Sequence, residues 1–190
     1  MARADVRIPC EPREGRARAA ENRSDHLQRG RQVTRHATAR GLAALALATW
    51  ASGAAAVSCS VESAGLSFGQ YNPFRGAPND SVGTLSLSCS GAAGAEVVYV
   101  VRIGAGSSGT PTARTMRSPS GWSLGYNLYT DPARSLVWGD GTGGTRVLAD
   151  AFTLRGMGLT RRYPVFGRTF ERQNVAPGVY TDSLVVSVEF

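Results

Sequence analysis

One stretch decides the fold of this chain: Pro177-Gly178-Val179-Tyr180-Thr181-Asp182-Ser183-Leu184-Val185-Val186-Ser187-Val188-Glu189-Phe190. It reads as a turn followed by a strand, because Leu184, Val186, Val188 and Phe190 recur with the period of two that is typical of a half-buried strand. No segment follows that could pair with this strand, and an uncovered strand edge is a liability in a finished protein. We therefore expect this strand to border a docking site for another chain.

The sequence upstream of this stretch predicts an all-β fold. Strand-like runs are separated by Gly, Pro, Asn and Asp, and no segment after residue 57 keeps a helical period. The runs are 57–61, 66–69, 82–89, 97–103, 124–129, 135–138, 146–154 and 162–170. Residues 97–103 are apolar on both faces, which predicts a central strand, and Asp140-Gly141 predicts a hairpin turn. Short strands at this spacing are typical of an antiparallel sandwich.

The first 56 residues predict a leader that is removed on export. Residues 1–40 carry ten of the 21 arginines, an apolar run follows over 42–48, and Ala54-Ala55-Ala56 supplies small residues. A basic region, a short apolar region and an Ala-x-Ala end are typical of a secretory signal peptide, here cut between Ala56 and Val57. A true translation start near Val33 would explain the long basic region. The alternative is a basic arm that binds nucleic acid or a membrane.

Removing the leader changes the charge and the classes of partner. The whole chain carries +7, whereas residues 57–190 hold 11 Arg against 9 Asp or Glu, a net charge of +2. No clustered basic face remains, so we expect no nucleic-acid partner. The apolar run is far too short to span a bilayer, so we expect no transmembrane segment.

The two cysteines of residues 57–190 predict a disulfide. Cys59 and Cys89 form an even pair in an exported chain, and their bond would contribute about 3–4 kcal/mol on the chain-entropy model. Two free buried thiols are the alternative.

The residue types of the mature chain argue against an enzyme. Residues 57–190 contain no His and no Lys, which removes the commonest general base and the usual amine nucleophile. A paired-carboxylate hydrolase is formally possible, but nothing groups two carboxylates. No spacing suits a metal, and we expect no cofactor and no catalytic residue.

Four aromatic residues admit two interpretations. Trp122, Tyr126, Tyr129 and Trp138 lie on or beside strand runs, which favours packing in the core and at its rim over a sugar-binding platform.

Several short motifs occur in an order that resembles the spore coat U domain, the fold of pilin subunits in archaic (Csu-type) chaperone–usher pili. The resemblance runs from Cys59 to Phe190 and is highly specific as a set. Its parts are Cys59-Ser60-Val61, Leu66-Ser67-Phe68-Gly69-Gln70-Tyr71-Asn72-Pro73, the strand ending in Cys89, Arg114-Thr115-Met116, Leu124-Gly125-Tyr126-Asn127-Leu128-Tyr129-Thr130-Asp131, Val137-Trp138-Gly139-Asp140-Gly141, Phe166-Gly167-Arg168 and Pro177-Gly178-Val179-Tyr180-Thr181-Asp182.

The resemblance implies an incomplete immunoglobulin-like antiparallel sandwich that lacks its final strand. A periplasmic pilus chaperone would fill the resulting groove first, and another pilin subunit would fill it after delivery to an outer-membrane usher. The chain would then pass through the periplasm to a surface fimbrium. We expect the groove to be lined by Leu66, Phe68, Leu184, Val186, Val188 and Phe190.

The chain departs from that pattern in lacking a second cysteine pair and a donor strand. Cleavage before Val57 leaves only Val57 and Ser58 ahead of Cys59, whereas a donor needs on the order of ten alternating residues. The expectation is a non-catalytic fibre subunit that accepts a strand and donates none, in a minor or tip-proximal position. The alternatives are a free-standing spore-coat component and a secreted module that binds carbohydrate or an abiotic surface.

Overall fold

The structure is a computed structural model that describes residues 2–7 and 56–190 of the chain. These residues belong to one folded unit and contain eleven strands. The predicted apolar run, Ala54-Ala55 and the alternative start near Val33 lie outside the described residues. The strands are β1 (Ala2–Arg7), β2 (Ser58–Ser63), β3 (Leu66–Tyr71), β4 (Asn79–Ser90), β5 (Glu96–Ile103), β6 (Arg114–Arg117), β7 (Ser123–Tyr129), β8 (Leu148–Thr153), β9 (Gly158–Thr169), β10 (Gly178–Ser183) and β11 (Val186–Glu189), with a 3-10 turn at Gly106–Ser108.

The strands form two sheets. The larger has the order β2-β4-β9-β7-β6-β10-β1-β3, and the smaller has the order β11-β5-β8. Every pairing is antiparallel except that of β1 with β10. The larger sheet curls until β3 lies beside the first half of β4, where the Ser81 hydroxyl donates to the Ser67 carbonyl at 2.6 Å and the Asn79 amide donates to the Gln70 carbonyl at 2.7 Å. The predicted fold class, an incomplete immunoglobulin-like sandwich, is confirmed.

The core lies between the two sheets and follows the alternation of the strands. On β5 the buried residues are Val97, Tyr99, Val101 and Ile103, which face the core while Val98 on the other face is exposed. β5 is the central strand of the smaller sheet, as its apolar composition predicted.

The disulfide predicted from the cysteine count is present. Cys59 on β2 and Cys89 on β4 are directly registered across the ladder and are joined by a bond that closes a sequence separation of 30 residues. The bond ties the edge strand β2 to the longest ladder of the large sheet, that of β4 with β9.

The stretch that decides the fold forms two strands where one was predicted. β10 belongs to the larger sheet and β11 to the smaller, and the chain changes sheets at Leu184–Val185. Leu184, Val186 and Val188 are buried as the alternation predicted. Phe190 follows the end of β11 and is 43% exposed in this single chain, and its place in a groove covered by another chain stays a prediction.

Two further local predictions need correction. Residues 135–138 form no strand and contribute only isolated bridges, Tyr129 with Val137 and Trp138 with Arg146. The hairpin turn predicted at Asp140-Gly141 does not form. These residues lie in a loop between Trp138 and Arg146, whose bridge is parallel, whereas a hairpin connects antiparallel strands. β6 was not predicted at all.

Candidate functional site: the β3–β10 groove

The two strands that face each other across β1 define the candidate site. β10 runs parallel to β1 with the pairs Ala2–Gly178 through Arg7–Ser183, and β3 runs antiparallel with the pairs Ala2–Tyr71 through Val6–Leu66. Among residues 56–190, therefore, no strand lies between β3 and β10, and the space is one strand wide. We call this space, bounded by Leu66–Tyr71 and Gly178–Ser183, the β3–β10 groove.

A bulge shapes the β3 wall. Ala4 pairs with Gly69 and Asp5 pairs with Ser67, so Phe68 is the extra residue on β3. Gly69 has a φ of 68°, a left-handed conformation that glycine adopts without steric cost. The bulge shifts the phase of the strand, and Leu66, Phe68 and Tyr71 are all buried as a result.

The floor of the groove is aromatic and tightly packed. Phe68 meets Tyr126 of β7 edge to face, with ring centroids 5.9 Å apart. A Cβ placed on Gly167 of β9 would lie 2.9 Å from both Leu66 and Phe68. Gly167 thus lets β9 pass directly beneath the β3 wall.

The β10 wall carries a buried carboxylate. Asp182 accepts hydrogen bonds from the Tyr126 hydroxyl at 2.7 Å and from the Ser107 backbone N–H at 2.9 Å. Burial, and then the charge of Asp182, raise the pKa of Tyr126 far above its usual range, so the phenol stays a donor. A Cβ on Gly106 would come within 2.3 Å of the Asp182 carboxylate, which explains the glycine at this close approach.

A buried arginine supports the same region. Arg114 of β6 is fully buried, and its guanidinium donates to the carbonyls of Ile103, Gly104 and Trp138 and to the Asn127 side chain at 2.7–2.9 Å. These bonds connect the small sheet to the large one. Burial lowers the pKa of the Arg114 guanidinium from its ordinary value. The motif Arg114-Thr115-Met116 is therefore part of the core of the sandwich.

The groove opens at the start of β10 into a cavity of about 400 Å³. Its lining residues are Tyr71, Asn72, Pro73, Phe74, Asn174, Val175, Ala176 and Pro177. The Tyr71 hydroxyl accepts from the Gln173 N–H and the Tyr180 hydroxyl donates to the Ala176 carbonyl, each at 2.7 Å. Both tyrosines of the groove thus anchor the segment that leads into β10.

The structure divides the six predicted groove residues. Leu66 and Phe68 lie on the β3 wall. Leu184, Val186 and Val188 lie in the core, and Val186 and Val188 pair with β5. Phe190 lies beyond the end of β11 and is exposed. Sequence reasoning missed Tyr71, Tyr180 and Asp182, although Tyr180 and Asp182 continue the alternation of Leu184, Val186 and Val188 towards the N-terminus.

Three of the four aromatic residues pack in the core, as their place on strand runs favoured, and the alternative of an aromatic platform has little support. Trp138 is fully buried and its indole N–H donates to the Val101 carbonyl at 3.2 Å, while Tyr126 and Tyr129 are also buried. Of the four aromatic residues only Trp122 is open to solvent, at 46% exposure. In the described residues there is no cluster of three or more His, Cys, Asp or Glu side chains that could hold a metal ion, and no helix there could span a membrane.

The chain is similar to known proteins over most of its length. The family model of the spore coat protein U domain matches residues 45–187. "Protein U" of Myxococcus xanthus is 31% identical over 133 residues, which are 66% of this chain and 71% of that protein. A solved structure, the CsuC–CsuE chaperone–tip adhesion subunit pre-assembly complex from archaic chaperone–usher Csu pili of Acinetobacter baumannii, matches with a TM-score of 0.43 and 18% identity over 71% of this chain. The match spans only 40% of the chain in that structure.

Proposed function

The chain belongs to the spore coat protein U domain family, and from that premise we propose that it is a non-catalytic structural subunit of a surface fibre that accepts a donor strand in the β3–β10 groove. The observation that carries the proposal is the arrangement of β3, β1 and β10: two strands of the domain are bridged only by a segment from outside residues 56–190. Strand addition to such a gap satisfies the backbone groups of both walls at once.

The energetics of the gap explain why the subunit would need a partner. An empty groove exposes one edge each of β3 and β10 and uncovers buried walls that include Leu66, Phe68 and Tyr180. Covering such a surface with about four apolar side chains, at roughly 1.5–3 kcal/mol each, would contribute about 6–12 kcal/mol in total. That sum is comparable to the stability of a whole domain. We propose that a periplasmic chaperone supplies the first strand and that another subunit replaces it at an outer-membrane usher.

The position in the fibre follows from the proposed processing. If the leader is cut between the exposed Ala56 and the half-buried Val57, a single residue precedes β2. Such a subunit could accept a strand and could not donate one. We therefore propose export through the periplasm to the cell surface and a minor or tip-proximal place, in a fibre of the kind that serves adhesion and biofilm formation.

A component of a spore coat is the second candidate function, because the family takes its name from a spore coat protein. The carbohydrate-binding alternative has less support, since its proposed platform is mostly buried.

Site-directed cross-linking in cells that make the fibre tests the proposal. Thr181 is exposed on β10 and registers with the central part of β1, so Thr181→Cys should capture the occupant of the groove. We expect mass spectrometry to identify an alternating apolar strand from a chaperone or from a subunit of the same fibre. Thr153→Cys, exposed on the edge strand β8, is the matched control and should capture neither. A chain that stays monomeric, uncaptured at Thr181→Cys and absent from purified fibres would refute the proposal.

A further inference from the structure

A second cluster of polar side chains lies outside the β3–β10 groove, where the half-buried Asp150 and Tyr163 meet the buried Tyr99 between the two sheets. We propose that the side-chain oxygens of Tyr99, Asp150 and Tyr163 form a binding site for ferric ion. This inference is independent of the proposed function, because none of the three residues belongs to a wall of the groove.

The topology brings the three side chains together from three strands. Tyr99 on β5 and Asp150 on the edge strand β8 are directly registered partners, and Tyr163 reaches them from β9 of the other sheet. The Asp150 Oδ2 atom accepts hydrogen bonds from the Tyr163 hydroxyl at 2.6 Å and from the Tyr99 hydroxyl at 3.2 Å, and the two hydroxyls contact each other. Neighbouring ligands of an octahedral ion at about 2.0 Å must lie roughly 2.8 Å apart, and the two distances to Asp150 bracket that spacing.

The charge and the type of the ligands select the ion. Two phenolates and one carboxylate carry three negative charges and offer only oxygen atoms, which hard cations prefer. A trivalent ion would neutralise these charges, whereas a divalent ion would leave a net negative charge at a partly buried position, which is costly. Ferric ion is hard and trivalent, and tyrosine is an established ligand of iron in haem proteins. The search for His, Cys and carboxylate spacings in the sequence could not find such a site, because two of its three ligands are phenols.

Without an ion, the two phenols serve as proton donors to the carboxylate. Burial raises the pKa of both tyrosines, and the hydrogen bond from Tyr163 lowers the pKa of Asp150. Among the described residues no basic side chain forms an ion pair with Asp150, and the Arg161 guanidinium lies over the Phe152 ring, 5.7 Å from its centroid. An ion that binds here would therefore replace two phenolic protons and would not have to break an ion pair.

A purely structural role accounts for only part of the cluster. An inward-facing carboxylate on an edge strand such as β8 discourages edge-to-edge pairing with another chain. That role needs one carboxylate with a hydrogen-bond donor, and it does not require two phenols from opposite sheets on one carboxylate oxygen. A bound ion would join β5 and β8 to β9, and would thus tie the two sheets together at this position.

Visible absorption of the protein, as isolated from the cells that make it, tests the inference. Ferric ion supplied as its nitrilotriacetate chelate should give a phenolate-to-iron charge-transfer band, with one ion bound per chain, and an excess of Mg²⁺ or Ca²⁺ should not remove the band. Tyr163→Phe should abolish the band. Asp150→Asn should weaken binding by more than the roughly 10–100-fold that is typical for loss of an outer-shell partner. Tyr129→Phe and Asp80→Asn remove a phenol and a carboxylate elsewhere in the fold, and these control variants should keep the band.

Thermal unfolding with gallium(III), a trivalent and colourless ion, gives a second readout. An ion that binds only the folded state raises the Tm, so gallium(III) should raise the Tm of the wild-type protein and leave that of Asp150→Asn unchanged. Asp150→Asn keeps both aromatic rings in place, which preserves the comparison if Tyr163→Phe does not accumulate. Absence of the band from the wild-type protein, or its persistence in Asp150→Asn and Tyr163→Phe, would overturn the ferric site. Variants that change the Tm while neither ion has any effect on the wild-type protein would equally overturn it, since the cluster would then only stabilise the fold.

Discussion

The carboxylate of Asp182 on β10 accepts a hydrogen bond of 2.7 Å from the hydroxyl of Tyr126 on β7, and both residues are buried. β6 lies between these two strands in the larger sheet, so the hydrogen bond spans β6 on the core face of the sheet. The bond therefore holds the β10 wall of the groove from the core side.

Removing the hydroxyl of Tyr126 should test this support. Tyr126→Phe leaves the buried Asp182 carboxylate without its side-chain donor, and we expect a loss of about 1.5–3 kcal/mol in the free energy of unfolding. Tyr129→Phe is the control, since its aromatic ring is likewise mostly buried. Urea denaturation of both variants measures the difference. Equal, small losses would show that the Asp182 bond does not stabilise the wall.

Gly69 allows the bulge energy to be measured. A Cβ at Gly69 meets nothing within 4 Å, so Gly69→Ala adds no clash and imposes only the cost of a left-handed backbone, about 1–2 kcal/mol. Gly178→Ala is a matched control, because its Cβ is equally free of contacts and its backbone is not left-handed. We expect Gly69→Ala alone to lower the free energy of unfolding and to weaken strand capture at Thr181→Cys. Identical behaviour of the two variants would mean that the bulge tolerates other residues.

The disulfide should contribute a large share of the stability. Replacing Cys59 and Cys89 together by serine should cost about 3–4 kcal/mol, since the loop that the bond closes is released in the unfolded chain. The periplasmic yield should fall sharply as a consequence. Intact mass and non-reducing peptide mapping of the wild-type protein establish the bond. Recovery of both thiols in alkylated form from unreduced protein would contradict it.

The ion pair of Asp80 with Arg168 predicts a loss of stability in acid. Two hydrogen bonds of 2.7 and 2.9 Å from the Arg168 guanidinium hold the pKa of Asp80 below its ordinary value of 3.8. A depressed pKa in the folded state stabilises above the unfolded pKa, and this contribution disappears as the pH falls through the folded value. We therefore expect the Asp80 contribution to be complete near neutral pH and to be lost below about pH 4. Asp80→Asn should flatten the dependence of the free energy of unfolding between pH 3 and 6; an unchanged slope would contradict the assignment.

Processing at Ala56–Val57 predicts one defined N-terminus. Exported protein should begin at or near Val57 in an intact-mass measurement, because Ala54-Ala55-Ala56 is the predicted cleavage sequence for a signal peptidase. Ala56→Pro should block the cut and retain the leader. A secreted product that still contains Arg31–Arg40 would show that these residues are not a leader.

The sequence predicts those features of the fold that depend on local alternation. The disulfide follows from the number of cysteines and the predicted export, and the burial of Leu184, Val186 and Val188 follows from their spacing. The change of sheet at Leu184–Val185 does not, since the inward alternation continues unbroken from one sheet to the other.

The features that sequence reasoning missed depend on long-range contacts. The Arg114 guanidinium donates hydrogen bonds to carbonyls of Ile103, Gly104 and Trp138, which are distant from it in the sequence. The sequence of the four-residue strand β6 does not predict these contacts. Ala2–Arg7 pairs with β3 residues that lie at least 60 positions away in the sequence, such as Leu66 opposite Val6. The alternation of this segment is also hard to recognise among the arginine-rich residues that follow it.

The position of β1 lengthwise between β10 and β3 also determines how the groove would bear a pulling force. An occupant lies along its full length between two ladders, with six registered pairs on one side and five on the other. A force along the strand axis would shear the hydrogen bonds of all these pairs at the same time, whereas a force at right angles would break them one after another. A fibre built through this groove would therefore resist tension along its axis far better than peeling from its side.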